Sequence, residues 1–213
     1  LYKTLTDNQA EKKMYEELLE PMVWFNVLPF ESLAQVDEDV LKEIAIWGVE
    51  ISQQGQLQRN ENDELLIPTV EVDRFAAKLF GPDYQFTVHE SFSNMEQGLH
   101  YGYDAQREVY VMPSTGLTPE YRATVVRIKN EGGGVRRVTV GYVSALDENK
   151  GIIFNPDYDH PVKYMDFMFQ RGSGGSYYLY ALQKNTTIEP AVPSSDAASV
   201  PSVAPPSSSE EED

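Results

Sequence analysis

The sequence predicts an α+β domain, in which an antiparallel sheet of about six strands carries about three N-terminal helices packed on one face. Apolar residues recur every three or four positions over the first 80 residues, whereas they alternate with polar residues from Tyr84 onward. Short loops containing glycine and aspartate separate the alternating runs, which is typical of antiparallel hairpins. A helical layer on one face of the sheet would satisfy both periodicities.

Capping residues and apolar stripes define the three helices. The first is predicted to begin at a capping box formed by Thr6–Gln9 and to end at Pro21. The second begins near Asp37, where neighbouring acids suit the positive end of a helix dipole. The third runs from a capping Thr69 to Gly81, which is expected to form a left-handed C-cap. Its apolar stripe consists of Val72, Phe75, Ala76, Leu79 and Phe80.

Alternation and turn residues define the strands. A first strand is predicted over residues 84–88, where aromatic and β-branched residues alternate with polar ones. Three hairpins are predicted around the turns at 104–107, 130–134 and 172–175. No internal repeat interrupts this order, so we expect one domain over residues 1–184.

The composition changes after Lys184, and residues 185–213 are predicted to be a disordered tail. This segment holds five prolines, no aromatic residue and a run of four acids at 210–213. It buries too little apolar surface to offset an ordering entropy of about 1–2 kcal/mol per residue. A solubilising terminus and an interaction segment both fit this composition.

The charge balance and the lack of cysteine exclude several classes of function. Thirty-four acids against 17 lysines and arginines give a net charge of -17, which would repel a phosphate backbone, so no nucleic-acid partner is expected. The absence of cysteine excludes disulfides, thiolate zinc sites, iron–sulfur clusters and thiol catalysis. No run of 18 apolar residues predicts a membrane span. No motif indicates a cofactor.

Candidate catalytic and metal-ligating residues are sparse. The nucleophile motif Gly-x-Ser-x-Gly is absent, and Gly172–Gly175 is typical of a hairpin turn. Asp157, Asp159 and His160 lie within four residues, and residues 147–151 resemble part of a calcium loop. Neither segment supplies the six to eight oxygen ligands that calcium usually takes. We therefore predict no catalytic residue and no metal site.

A basic hairpin is the candidate binding site. Five cations fall within 16 residues and are offset only by Glu131: Arg122, Arg127, Lys129, Arg136 and Arg137. Alternation places Arg127, Lys129 and Arg137 on one face. If the numbers of paired residues add up to 264, Arg127 and Arg137 are direct cross-strand neighbours. Like charges directly opposite destabilise a hairpin, so solvent, nearby acids or an anionic partner must compensate.

We predict that Arg127, Lys129 and Arg137 form an anion-binding surface for an anionic polymer or for the acidic tail of the chain itself. The alternative is a charged strand edge that only discourages aggregation. A second open question concerns the aromatic residues of the last two strands, which fit either a glycan-stacking platform or ordinary core packing. Core packing is the interpretation we favour.

Three segments carry a resemblance to a known group of proteins. They are Pro21–Phe30 (PMVWFNVLPF), Ile67–Gly81 (IPTVEVDRFAAKLFG) and Val138–Val143 (VTVGYV). They resemble segments of uncharacterised membrane-anchored extracytoplasmic proteins of Gram-positive anaerobes, over about residues 1–184. The resemblance implies an extracytoplasmic location and tethering by an N-terminal membrane helix that would precede Leu1. It implies no activity.

These observations lead to two functional hypotheses. The first is a non-enzymatic extracytoplasmic domain that binds an anionic envelope polymer or another envelope protein. The alternative is a carboxylate-based hydrolase that acts on a cell-wall polymer. A cleft holding two converging acids with raised pKa values would favour the hydrolase, and a surface without such a cleft would favour binding.

Overall fold

The computed structural model describes residues 2–113, 117–147 and 151–190. Within these residues the fold is α+β, with three α-helices and antiparallel strands, as the sequence predicts, but the strands form three sheets instead of one sheet of about six strands. The helices are α1 (Tyr2–Trp24), α2 (Glu38–Ser52) and α3 (Thr69–Phe80). No helix among the described residues is both long and apolar enough to cross a bilayer. Residues 191–213 of the predicted tail lie outside the described residues.

The strands are divided between a sheet of five, a sheet of four and a two-stranded ribbon. The first five strands are β1 (Gln58–Arg59), β2 (Leu65–Pro68), β3 (Phe92–Asn94), β4 (Leu99–Asp104) and β5 (Val109–Met112). The remaining strands are β6 (Tyr121–Gly132), β7 (Val135–Ser144), β8 (Leu146–Asp147), β9 (Gly151–Ile152), β10 (Lys163–Arg171) and β11 (Tyr177–Lys184). The sheet orders are β1-β2-β5-β4-β3 and β11-β10-β7-β6, and β8 pairs with β9.

The three predicted hairpins are confirmed, whereas the predicted strand over residues 84–88 is wrong. The hairpins are β4–β5, β6–β7 and β10–β11. Residues 84–88 form a loop that pairs with no strand. Instead, the ring of Tyr84 lies 5.0 Å from that of Phe80 and 5.3 Å from that of Phe86. The alternation there reflects aromatic packing onto the end of α3.

The predicted start and end of α1 and the predicted N-cap of α3 are also wrong. Thr6 and Pro21 both lie inside α1, which continues one turn past the proline because Met22 and Val23 are fully buried in the core. Thr69 does not cap α3; its backbone N–H and its hydroxyl both donate to the Glu108 carbonyl. Gly81 does end α3 with a positive φ of 118°, although its ψ of 157° lies outside the left-handed helical region.

The helices connect the two larger sheets, and one continuous core runs between them. Helix α1 packs along β6, α3 contacts both β2 and β11, and α2 lies against α1, α3 and β2. Gly48 allows the close approach of α2 to α3, since a Cβ at this position would collide with the ring of Phe75.

Side chains of helix α1 form hydrogen bonds with backbone groups at the open edge of strand β6. Glu16 accepts a hydrogen bond from the Val125 amide at 2.8 Å, and Glu20 accepts one from the Ala123 amide at 2.9 Å. Lys12 donates to the Val126 carbonyl at 3.1 Å. Four helical residues rise about 6 Å and two strand residues about 6.7 Å, so side chains spaced by four on α1 match alternate positions on β6.

We expect Glu20→Ala to lower the free energy of unfolding by about 2–3 kcal/mol, because it leaves the Ala123 amide without its carboxylate partner. The matched control is Glu17→Ala on the same helix. Glu17 is largely exposed and makes only a 3.9 Å contact with Lys13, so its loss should cost less than about 0.5 kcal/mol. Urea denaturation measures both values. Equal costs would show that the carboxylate does not support the strand edge.

Candidate functional site

A buried carboxylate lies at the centre of the molecule. Glu43 is on the buried face of α2 and is only 2% exposed. It accepts hydrogen bonds from the Tyr101 hydroxyl at 2.6 Å and from the Asn94 amide at 2.9 Å. The indole N–H of Trp47 donates in turn to the Tyr101 hydroxyl at 2.7 Å. This chain of hydrogen bonds joins α2 to β3 and β4.

The charge of Glu43 is held by neutral donors. Its neighbour Lys42 is equally buried, but its ammonium contacts Glu38 at 3.3 Å and Asp39 at 3.1 Å instead. Burial raises the pKa of Glu43, and the hydrogen bonds from Tyr101 and Asn94 offset this rise only in part. Burial, followed by the nearby Glu43 charge, also raises the pKa of Tyr101.

Glu43 forms part of the wall of a cleft of about 780 Å³, which we call the acidic cleft. One wall is the segment 24–30, which follows α1 and is fixed to β11 by two backbone hydrogen bonds of 2.9 Å between Phe30 and Leu182. Trp24 and Phe25 in this wall are supported from behind by Trp47, whose ring lies 5.8 and 6.4 Å from theirs. The acids that line the cleft are Asp37, Glu43, Glu96 and Glu120.

Exposed apolar side chains lie at the acidic cleft and at the cleft next to it. Leu28 is 78% exposed and lines the cleft together with Leu146, and Met95 lies between two lining residues and is 86% exposed. Thr118 lines both this cleft and a neighbouring one of about 340 Å³, where Phe154 is 89% exposed. We call the six residues the apolar rim: Leu28, Met95, Leu146, Ile152, Phe154 and Tyr158.

The structure brings the three predicted anion-binding residues to one face of the β6–β7 hairpin, but in a different register. Arg127 pairs with Thr139 and Lys129 pairs with Arg137, so Arg127 and Arg137 are not direct neighbours. The pair next to the turn is Gly132 and Val135, and register shifts between Asn130 and Gly132 and between Val125 and Arg127 leave no pair with the expected sum of 264. The like-charged pair is therefore Lys129 and Arg137.

Acids of the domain itself compensate this pair. Arg137 donates two hydrogen bonds to Glu131, at 2.8 and 3.0 Å, and one to Asp166 at 2.7 Å. Lys129 lies 3.6 Å from the same Glu131 carboxylate. Among the described residues, Arg127 has no ion pair. The face thus keeps about one net positive charge, and its anion-binding role stays a prediction.

The histidines and the loop acids form no recognisable catalytic or metal centre in the described part of the chain. His89 contacts Asp73 at 3.2 Å and the hydroxyl of Tyr110 at 2.9 Å, but Tyr110 is fully buried and inaccessible to a substrate. His160 pairs with Asp157 on the surface at 2.7 Å. No group of three histidines or acids in the described residues is placed to hold a metal ion. Residues 148–150 of the calcium-like loop lie outside the described residues.

The aromatic residues of the last hairpin belong mainly to the core. Phe167 and Phe169 are fully buried, and the ring of Tyr177 is covered by Arg136, whose guanidinium carbon lies 3.9 Å from the ring centre. This arrangement matches the core-packing interpretation rather than a glycan-stacking platform. Sequence analysis missed the acidic cleft, although the aromatic segment 24–30 and the unusual Glu43 within an apolar helix were available signals.

We expect Arg137→Gln to lower the free energy of unfolding by about 2–3 kcal/mol, because it leaves the buried Asp166 carboxylate with neutral donors only. Arg127→Gln removes the same charge from the same face and should cost less than about 0.5 kcal/mol. Chemical denaturation of both variants provides the comparison. A large loss with Arg127→Gln would mean that this residue has a structural partner.

We expect Glu43→Gln to change how stability depends on pH. Because the pKa of Glu43 is raised above its ordinary value of 4.5, the folded protein keeps a proton that the unfolded chain releases. The contribution of Glu43 to wild-type stability therefore falls as pH rises from about 4.5 through the higher folded pKa, and the variant lacks this loss. Urea titrations between pH 4 and 8 should show the variant gaining relative to wild type as pH rises. A constant difference would contradict the raised pKa.

Comparison with known proteins returned no match: no protein-family model, no curated protein and no solved structure is significantly similar to the chain.

Proposed function

We propose that the protein is a non-enzymatic binding domain that recognises a positively charged, partly apolar polypeptide segment of another protein at the acidic cleft. The observation that carries the proposal is the apolar rim, whose six exposed large apolar side chains lie along a cleft lined by acids and along the neighbouring cleft that shares Thr118 with it. The predicted anionic ligand of the β6–β7 hairpin is a separate hypothesis, and it concerns a different face.

The apolar rim supports binding of a polypeptide. Large apolar side chains exposed together, rather than singly, mark interaction surfaces, and aromatic residues and methionine are enriched there. Leu28, Met95 and Phe154 are each more than three-quarters exposed, so each would bury most of its side chain in a complex. The supported rings of Trp24 and Phe25 provide a rigid wall against which a partner side chain can pack.

The charges select a basic partner. Four acids line the cleft, whereas the cations beside it are already engaged. Arg122 pairs with Glu20 at 3.1 Å, and Lys163 donates to Asn26 and lies over the ring of Tyr121. With a net charge of -17, the protein would attract a basic polypeptide and repel an anionic lipid surface.

The hydrolase alternative requires two carboxyl groups that converge on one bond. Among the described residues, Glu43 and Glu50 are the carboxyl groups whose pKa is raised, in both cases by burial. They are seven residues apart on α2, about 10 Å along its axis, and they line different clefts. This separation supports binding over hydrolysis.

The cellular location remains part of the proposal. An extracytoplasmic position, with tethering to the membrane before Leu1, rests on the sequence resemblance alone. In that setting the partner would be another envelope protein.

Intrinsic fluorescence provides the test, because the two tryptophans of the chain, Trp24 and Trp47, both belong to the cleft wall or its support. We expect a synthetic peptide of alternating leucine and lysine to shift the emission with micromolar affinity. A leucine–glutamate peptide of equal length should not. The double variant Leu28→Ser/Phe154→Ser should weaken binding at least tenfold.

The matched control is Val70→Ser, which removes a 58% exposed apolar side chain that lines none of the clefts around the rim. It should leave affinity unchanged. Equal binding of the basic and acidic peptides would overturn the proposed charge selection. An unchanged affinity in the double variant would overturn the role of the apolar rim.

A further inference from the structure

A second cleft, whose lining is more apolar and more basic than that of the acidic cleft, lies between α1, α3 and the start of β11. It encloses about 800 Å³, and we call it the α1–α3 cleft. This volume falls within the roughly 300–1,000 Å³ range of small-molecule sites in proteins. None of its lining residues lines the acidic cleft. It therefore requires its own explanation.

The walls of the α1–α3 cleft are mainly apolar. Met14 and Leu18 of α1 line one side, Ala77 of α3 another, and Tyr177 and Tyr178 of β11 a third. Met14 is 43% exposed, although its neighbour Tyr15 is buried, so α1 presents a large apolar side chain to the cleft that the fold itself does not cover. The small Ala77 leaves room on the opposite helix.

The polar lining is positive in an otherwise acidic protein. Three cations line the cleft against the single acid Glu11. Arg136 is bound by Glu11 and lies over Tyr177, which fixes its guanidinium at the wall. Arg74 pairs with Glu71 outside the cleft. Lys78 is exposed and, among the described residues, has no ion pair.

We propose that the α1–α3 cleft binds an amphipathic carboxylate, with an alkyl chain against Met14, Leu18 and Tyr177 and an anionic head beside Lys78 and Arg136. The hydrocarbon would cover the apolar walls, and the head would supply a negatively charged partner for Lys78. A purely acidic segment fits less well. Residues 207–213 of the chain, with the sequence SSSEEED, could satisfy the cations but offer no apolar side chain to the walls.

Isothermal titration calorimetry of the full chain with decanoate tests this site. Decyltrimethylammonium, which has the same chain length and the opposite charge, is the comparison ligand, and both are used below their micelle-forming concentrations. We expect decanoate to bind with one-to-one stoichiometry and the cation not to bind at this site. Lys78→Glu should weaken decanoate binding about tenfold, through loss and reversal of a partly exposed charge.

Two further variants separate this site from general effects. Lys13→Glu makes the same charge reversal on α1, but Lys13 lines a different cleft, so decanoate affinity should stay within about twofold. Ala77→Trp should block the cleft and abolish binding; its folding is checked by its thermal unfolding transition. No measurable binding of decanoate, or equal binding of both ligands, would overturn the proposal. The proposal would also be overturned if a peptide of residues 207–213 bound and decanoate did not, because the acidic end of the chain would then be the ligand of the cleft.

Discussion

The rest of the structure depends on a match in spacing between α1 and β6: four residues of the helix rise nearly as far as two residues of the strand. Side chains four residues apart on the helix lie opposite residues two apart on the strand, so Glu16 and Glu20 accept hydrogen bonds from the alternate amides of Val125 and Ala123 at an open sheet edge. An uncovered edge would invite pairing with other chains. Covering it with a helix also sets where α1 ends, and hence where the segment 24–30 begins.

That placement creates the acidic cleft. The segment 24–30 leaves α1, passes beside Trp47 of α2 and pairs with β11 at Leu182, so its aromatic residues form a wall. Glu43 fixes α2 to β3 and β4 on the other side. The buried carboxylate costs stability at neutral pH, yet its neutral donors orient Tyr101 and Asn94. The same residues therefore serve both the packing of the sheets and the shape of the cleft.

Ion pairing, and not the position of a cation in the sequence, decides which positive charges of the protein remain without a carboxylate partner. The cations of the β6–β7 hairpin look like a basic stripe in the sequence, but Arg122, Arg136 and Arg137 are each bound by a carboxylate. The acids used in this way come from α1, from β10 and, for Arg137, also from Glu131 of the hairpin itself. Among the described residues, the acids of the acidic cleft have no such ion pair, and the α1–α3 cleft is lined by more cations than acids. Two clefts of opposite character result on one acidic protein.

The fold class, the start of α2, the extent of α3 and the three hairpins could be predicted from the sequence, because capping residues, periodicity and glycine turns are local signals. The sequence did not determine where α1 ends: Pro21 is a local stop signal, and the burial of Met22 and Val23 overrides it. The register of β6 and β7 was not predictable either, since each of two register shifts moves every later pair. Which cations meet acids depends on the tertiary fold, because Arg122 and Arg136 find their carboxylates more than 100 positions away in α1 and Arg137 finds Asp166 on a neighbouring strand.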